Sequence, residues 1–288
     1  MIPAEAFALA TGFFSAVNLI LVKKGMARSN AITAIVVSLA INVIIFWSFV
    51  WMVVPREEIW RAELLIFVMV GLIQPGGTRF LSYLSVEKVG VTITASLRAT
   101  TPLFSSLLAI LVLGETLTVP VAVGTMFVVS GIILVSLKDK GTVVLRNRYI
   151  FLPIFSALVA GSTQVIRKMG LVHLPFPLLG AAVTTGTSLL VVTLSLIISN
   201  KMSMLAFNRT SLWFYTLGGI TVTLGVASVF MSLHLSDLVI VAPLTGLSPL
   251  YSLILAAVFL RDLEVITPRI VAAACLIVLG VVLITAIR

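Results

Sequence analysis

Long apolar stretches dominate the chain, and the polar residues that interrupt them fall at nearly regular intervals. Each stretch is about 20 residues long, the length that an α-helix needs to cross the hydrocarbon core of a membrane. Clusters of charged residues, proline and glycine divide the chain into ten predicted spans. These lie near residues 4 to 24, 31 to 54, 62 to 86, 89 to 113, 118 to 137, 149 to 168, 176 to 199, 210 to 233, 238 to 260 and 266 to 286. The pattern therefore predicts an all-α polytopic membrane protein without an extramembrane domain.

The second half of the chain repeats the first. Residues 81–113 and 228–260 follow one pattern at a fixed offset of 147, and the beginnings of the halves match at an offset of 144 or 145. Matched positions include Ser85 with Ser232, Pro102 with Pro249, Ser105 with Ser252, Glu115 with Asp262, and Val22-Lys23-Lys24-Gly25 with Ile166-Arg167-Lys168-Met169-Gly170. Because each unit holds an odd number of spans, the second must cross the membrane in the opposite sense. We predict two inverted five-helix repeats, residues 1-140 and 141-288, around a central cavity, as in secondary transporters.

Composition supports a membrane protein and favours lipid headgroups over nucleic acid as the partner of its basic residues. Hydrophobic residues make up 60% of the chain and charged residues 10%, with a mean hydropathy of +1.23, whereas soluble domains are typically about 25% charged. The net charge of +9 comes from Lys and Arg residues spread over short loops, where they act as topology signals and contact lipid headgroups rather than nucleic acid. The single cysteine, Cys275, excludes an intramolecular disulfide and a cysteine-based zinc site. We expect no metal and no cofactor.

The loops also carry an orientation signal. The side that holds the loop between the first two spans carries 12 Lys and Arg residues, and the opposite side carries 5. The positive-inside rule then places both termini outside.

The two halves share motifs that resemble a known family. An amide side chain in the first helix of each half (Asn18, Gln164) precedes a terminal Lys, and a proline-containing fourth helix ends in Leu113-Gly114-Glu115, with a degenerate second copy at Leu260-Arg261-Asp262. The chain resembles the EamA family of the drug/metabolite transporter superfamily. The resemblance implies a secondary carrier, commonly an exporter of amino acids or other small metabolites. It further implies a cavity lined by the first, third, fourth, sixth, eighth and ninth helices, and it does not specify a substrate.

Two arginines, Arg79 and Arg98, are the only ionisable residues that the predicted spans place clear of helix ends. Each lies about 12 to 15 Å from the turn that joins the third and fourth helices, so both lie at nearly the same depth. A charge at this depth costs at least about 2.5 to 3.5 kcal/mol and usually faces a bundle interior or a wet cavity. Because a guanidinium grips a carboxylate or phosphate in bidentate fashion, we expect the pair to bind an anionic group. Alternatively, they snorkel toward the interface or bind carbonyls freed where Gln74-Pro75-Gly76-Gly77 interrupts the third helix.

Other residues at similar depth complete the predicted site. Its further members are Asn18, Gln74, Tyr83, Thr101, Gln164, Thr245, Ser248 and Tyr251. For Asn18 and Gln164, lining of the cavity and hydrogen bonding between helices both remain open. Prolines lack the donor that a helical turn requires, so Pro75, Pro102 and Pro249 are expected to kink or break helices that gate the cavity. We interpret Glu115 and Asp262 as structural acids at helix ends.

The sequence thus predicts a secondary transporter that exports small metabolites such as amino acids or other carboxylate-bearing compounds by alternating access. The alternative within this class is a translocase of a phosphate-bearing lipid intermediate. A membrane enzyme is disfavoured because no His-Glu-x-x-His, Gly-x-Ser-x-Gly or intramembrane aspartate pair is present. A structural or sensory membrane protein would not need arginines at matched depth. We expect a monomer or homodimer among membrane lipids, in a bacterial or archaeal cytoplasmic membrane.

Overall fold

The computed structural model describes residues 3–74, 76–78, 81, 85, 97–98, 100–136, 148–248, 250–251, 254–255 and 268–286. Within these ranges the chain forms ten α-helices and no strand. The first half contains α1 (Ala4–Gly25), α2 (Ala31–Val53), α3 (Leu64–Ile73), α4 (Thr101–Leu108) and α5 (Val119–Ser136). The second half contains α6 (Phe151–His173), α7 (Pro177–Ile198), α8 (Arg209–Leu235), α9 (Leu238–Thr245) and α10 (Pro268–Ala286).

The helices follow the apolar pattern of the sequence. Ala4–Arg28, Ala31–Val53, Pro177–Ile198 and Arg209–Leu235 are each long and apolar enough to cross a membrane. Asparagines begin two of them. The Asn30 side chain accepts a hydrogen bond from the backbone N–H of Thr33 at the start of α2, and the Asn208 side chain accepts one from Thr210 at the start of α8. The predicted all-α membrane architecture is confirmed.

The two halves pack as inverted repeats, with the first helix of each half beside the third helix of the other. Helix α1 lies antiparallel to α8, where Asn18 Nδ2 donates to the Gly218 carbonyl at 2.8 Å. Helix α6 lies antiparallel to α3, where the Thr163 hydroxyl donates to Gln74 Oε1 at 2.8 Å. The fifth helices, α5 and α10, also pair. The first and third helices of each half are therefore buried largely against helices of the other half.

Glycines allow the closest of these helix contacts. A Cβ at Gly124 of α5 would lie 2.7 Å from the Gly280 carbonyl of α10, and a Cβ at Gly280 would lie 2.6 Å from the Gly124 carbonyl. Backbones that approach this closely gain packing energy that larger residues would prevent, as is common between membrane helices.

The predicted end of the sixth span was wrong. The basic pair Arg167 and Lys168 predicts a span that ends at residue 168, but α6 continues to His173. Arg167 is only 9% exposed, so it lies inside the bundle and not in a loop. The expectation that only Arg79 and Arg98 lie clear of helix ends is therefore also wrong. Charged side chains can continue a buried helix when oxygen atoms and aromatic rings of neighbouring helices surround them.

Candidate substrate-binding site

The third helix breaks where the sequence predicts an interruption. Helix α3 ends at Ile73, and Gln74 adopts an extended backbone with φ −133° and ψ 138°. A residue that precedes proline is driven out of the helical region by steric conflict with the ring; Pro75 itself lies outside the described residues. The Ser188 hydroxyl of α7 contacts the carbonyls of Gly71 at 2.7 Å and Gln74 at 2.8 Å. Helix α7 thereby provides a hydrogen-bond donor to carbonyls that the break removes from the helical ladder.

The side chain of Gln74 reaches α6 and contacts a buried arginine. Its Oε1 accepts from the Thr163 hydroxyl at 2.8 Å and from Arg167 Nη2 at 3.2 Å. The Arg167 Cζ atom lies 4.7 Å from the centre of the Phe230 ring of α8, a cation–π contact. Arg167 Nε is buried without a hydrogen-bond partner, and among the described residues the one ion pair joins Arg61 to Glu58. The Arg167 guanidinium of α6 thus contacts residues at the end of α3 and on α8, and no described carboxylate pairs with it.

Arg98 lies one turn before the start of α4. It is half-buried, and its backbone carbonyl accepts a hydrogen bond from the Thr101 hydroxyl at 2.7 Å. The predicted partner of Arg98, Arg79, lies outside the described residues, as does Tyr83. The matched depth of the two arginines therefore stays a prediction.

The fourth and ninth helices are interrupted at corresponding places, and the interruptions meet. Thr100 forms a turn before α4, with Pro102 as the second residue of that helix; α9 ends at Thr245, and Gly246 and Leu247 form a turn. A Cβ at Gly246 would lie 3.4 Å from Pro102 Cγ. Pro249 lies outside the described residues. The two discontinuities face each other across the boundary between the repeats, which is where transporters with inverted repeats place their substrate site.

The remaining predicted residues lie on both sides of this boundary. Asn18 is half-buried and bonds between α1 and α8, as one of the two alternatives for it expected. The Thr245 hydroxyl donates to the Ala242 carbonyl at 2.9 Å. Ser248 and Tyr251 contact α1, since a Cβ at Gly12 would lie 3.3 Å from Ser248 N and 3.1 Å from Tyr251 Cε2. Gln164 is half-buried on α6, and its Oε1 has no hydrogen-bond partner in the described part of the chain.

A charged clamp holds the turn between α8 and α9. Lys168 Nζ donates to the carbonyls of Leu233 and Ser236, both at 2.7 Å. The Glu115 carboxylate accepts from the backbone N–H groups of Leu238 and Val239, both at 2.9 Å. The cation therefore meets the C-terminus of one helix and the anion meets the N-terminus of the next, as the two helix dipoles favour.

The described residues of the first half form no equivalent of this clamp. Lys24, the repeat counterpart of Lys168, is exposed, and its side chain makes no hydrogen bond within the described part of the chain. The repeat counterpart of Glu115, Asp262, lies outside the described residues. Although the sequences of the halves match here, their structures differ at the lysine.

Sequence reasoning missed Arg167 and Lys168 as site residues. The apolar run Met169-Gly170-Leu171-Val172 that follows them could have indicated that the helix continues beyond the pair. The repeat did not help, because the corresponding Lys23 and Lys24 are exposed at the end of α1.

The fold and the interrupted helices define an integral membrane protein built from two inverted five-helix repeats. The sequence profile of the EamA-like transporter family matches residues 2–137 and 147–286, which together cover nearly the whole chain. The chain belongs to this family.

Comparison with solved structures supports the fold. One crystal structure superposes with a TM-score of 0.83, covering 98% of this chain and 96% of that chain at 14% sequence identity. At this identity the similarity establishes the fold alone. The comparison with curated proteins gives no match.

Proposed function

We propose that the protein is a secondary transporter that exports small carboxylate-bearing metabolites, such as amino acids, by alternating access. Membership of the EamA-like transporter family supports a membrane transporter. Carboxylate-bearing substrates, the export direction and the alternating-access mechanism are the parts that we propose. A bacterial or archaeal cytoplasmic membrane, with its small-metabolite gradients, is the proposed location, and no catalytic step is assigned to the chain.

The observation that carries this proposal is the meeting of the two interrupted helices. Pro102 of the first half and Gly246 of the second are in contact beside the turns that interrupt both helices. Turns at the boundary between inverted repeats are places where one repeat can move against the other during alternating access.

Arg98 supplies the charge for recognition. It lies one helical turn before Pro102, and its guanidinium offers paired donors that match a carboxylate. An acid is therefore favoured over its uncharged amide. This preference is the part of the proposal that distinguishes an anion carrier from a carrier of neutral or cationic compounds.

Ligand-induced thermal stabilisation of the detergent-purified protein tests the proposal. A ligand that binds only the folded state must raise its apparent stability. We expect carboxylates from a panel of amino acids and organic acids to stabilise the wild type and Arg98→Gln to lose this effect. Arg209→Gln is the matched control because Arg209 is exposed at the start of α8. Stabilisation of the wild type by cationic or uncharged compounds alone would refute the carboxylate proposal, whereas stabilisation by phosphate esters alone would favour the lipid-intermediate alternative.

A further inference from the structure

Gln164, which is half-buried, and Arg167, which is buried, present two polar side chains on one face of α6. They are three residues apart, so their side chains project from the same face. Helix α6 has 23 residues, and at a rise of 1.5 Å per residue Gln164 lies about 3 Å and Arg167 about 7.5 Å from its middle. Both positions therefore lie away from the ends of α6.

Each of these side chains has one polar atom that makes no hydrogen bond to the described residues. Arg167 uses one N–H on Gln74 and the face of its guanidinium on Phe230, but its Nε–H makes no hydrogen bond to any described residue. Gln164 Oε1 is likewise buried and without a partner in the described ranges. An orphan polar atom in a protein interior is uncommon and destabilising. The unpartnered donor Arg167 Nε–H and the unpartnered acceptor Gln164 Oε1 lie on adjacent turns of one helix. Together they match a ligand that carries both an acceptor and a donor.

We infer that Gln164 and Arg167 form a binding station for small acids with a hydrogen-bond donor next to the carboxylate, namely α-amino or α-hydroxy acids. Arg167 receives the carboxylate on its open donor edge, and the Gln164 amide oxygen accepts from the neighbouring ammonium or hydroxyl group. Among the described residues every carboxylate lies at a helix end or in a loop. In this proposal the ligand therefore supplies the negative charge that pairs with Arg167. This inference rests on the proposed function and narrows its substrate class.

The station is separate from Arg98. A Cβ at Gly161 of α6 would lie 2.9 Å from Ser105 N of α4, which places these two residues at one level. The fourth and sixth helices cross the membrane in the same sense. Arg98 precedes Ser105 by seven residues and Arg167 follows Gly161 by six, so the two arginines lie on opposite sides of this level. The two arginines are therefore separated along the axis of the helix bundle, and a small acid would meet them one after the other.

A purely structural role for Arg167 makes a different prediction. In that role the guanidinium would only tie the broken end of α3 to α6 and α8, and its loss would lower stability without changing which ligands bind. The Thr163 hydroxyl would still donate to Gln74 in an Arg167 variant, so the contact between α3 and α6 has a second support. Selectivity between an acid and its amide is therefore the decisive readout.

The experiment measures apparent affinity by thermal stabilisation, using the twenty amino acids, their α-carboxamides and the matching α-hydroxy acids as probes. The variants are Arg167→Gln, Arg167→Lys and Gln164→Leu, the last of which removes the amide while nearly keeping the size of the side chain. Lys23→Gln is the matched control because Lys23 is the exposed counterpart of Arg167. Arg98→Gln is measured in parallel.

We expect Arg167→Gln to lose about tenfold or more of the preference for acid over amide, which corresponds to one charged hydrogen bond. Arg167→Lys should retain part of that preference, Gln164→Leu should lose the advantage of amino and hydroxy acids over simple carboxylates, and Lys23→Gln should match the wild type.

Two contrary results are distinguishable. If acids stabilise the wild type and this effect depends on Arg98 while Arg167→Gln and Gln164→Leu keep full selectivity, the station is refuted and the proposed function stands. If no acid stabilises the wild type, the proposed function fails and the station fails with it. Should Arg167→Gln not fold, Arg167→Lys and Gln164→Leu decide: unchanged selectivity in both would overturn the station.

Discussion

Replacing Glu115 with glutamine removes a charge from the N-terminus of α9 while keeping the size of the side chain. In the wild type the two carboxylate oxygens accept from the backbone N–H groups of Leu238 and Val239, each at 2.9 Å. A glutamine amide offers one oxygen and one NH₂ group, so it can accept from only one of these donors. The other N–H then faces a donor instead of an acceptor.

The cost of this replacement follows from the two hydrogen bonds. A bond to a charged acceptor contributes about 1.5–3 kcal/mol and a neutral bond about 0.5–1.5 kcal/mol. Glu115 is half-buried, so water can reach part of the site and satisfy the abandoned N–H. We therefore expect Glu115→Gln to destabilise the protein by about 2 kcal/mol. For a chain of this size that loss lowers the melting temperature by roughly 4–8 °C.

Thermal unfolding of the purified protein in detergent, followed by circular dichroism or intrinsic fluorescence, measures this loss. Glu57→Gln is the control because Glu57 is exposed in the loop between α2 and α3, and it should leave the melting temperature within about 1 °C of the wild type. Equal melting temperatures for Glu115→Gln and the wild type would show that the carboxylate does not hold α9, and the clamp would be refuted.

Two further predictions use matched positions in the chain. Gly180→Ala should destabilise the protein by about 1–3 kcal/mol, because the new Cβ would lie 2.8 Å from the ring of Phe67. Gly186→Ala on the same helix should be neutral, because its Cβ would meet nothing closer than 3.7 Å. Thermal unfolding of both variants checks this difference, and equal melting temperatures would contradict it. Lys168→Met should lower the melting temperature because it leaves the final carbonyls of α8 without their donor, while Lys24→Met should not, since Lys24 is exposed. A larger shift in the Lys24 variant would contradict the difference between the halves.

The fold was largely predictable because it depends on two robust signals. Apolar stretches of membrane-spanning length mark the helices, and a duplication with an odd number of spans requires inversion. The extended backbone at Gln74 was also predictable, since the following proline restricts it. These features are local or follow from counting, so they do not require knowledge of which side chains meet.

The site was less predictable because its chemistry depends on contacts between the halves. A span boundary drawn at a basic pair assumes that charges lie in water, and this assumption fails for Arg167, which Gln74 and Phe230 surround. Glu115 was expected at a helix end, but the sequence did not show that it would contact the first turn of α9. For Asn18, only the packed structure selects the bond to Gly218.

Counterflow in proteoliposomes tests the central claim, that this chain is an alternating-access carrier for small acids, most directly. Vesicles loaded with the unlabelled amino or hydroxy acid that most stabilises the purified protein are diluted into a trace of the same acid carrying a radiolabel. We expect wild-type vesicles to accumulate the label transiently and vesicles with Arg98→Gln or Arg167→Gln to accumulate far less. Absence of accumulation by the wild type, at a reconstitution level where the protein is folded and inserted, would contradict it.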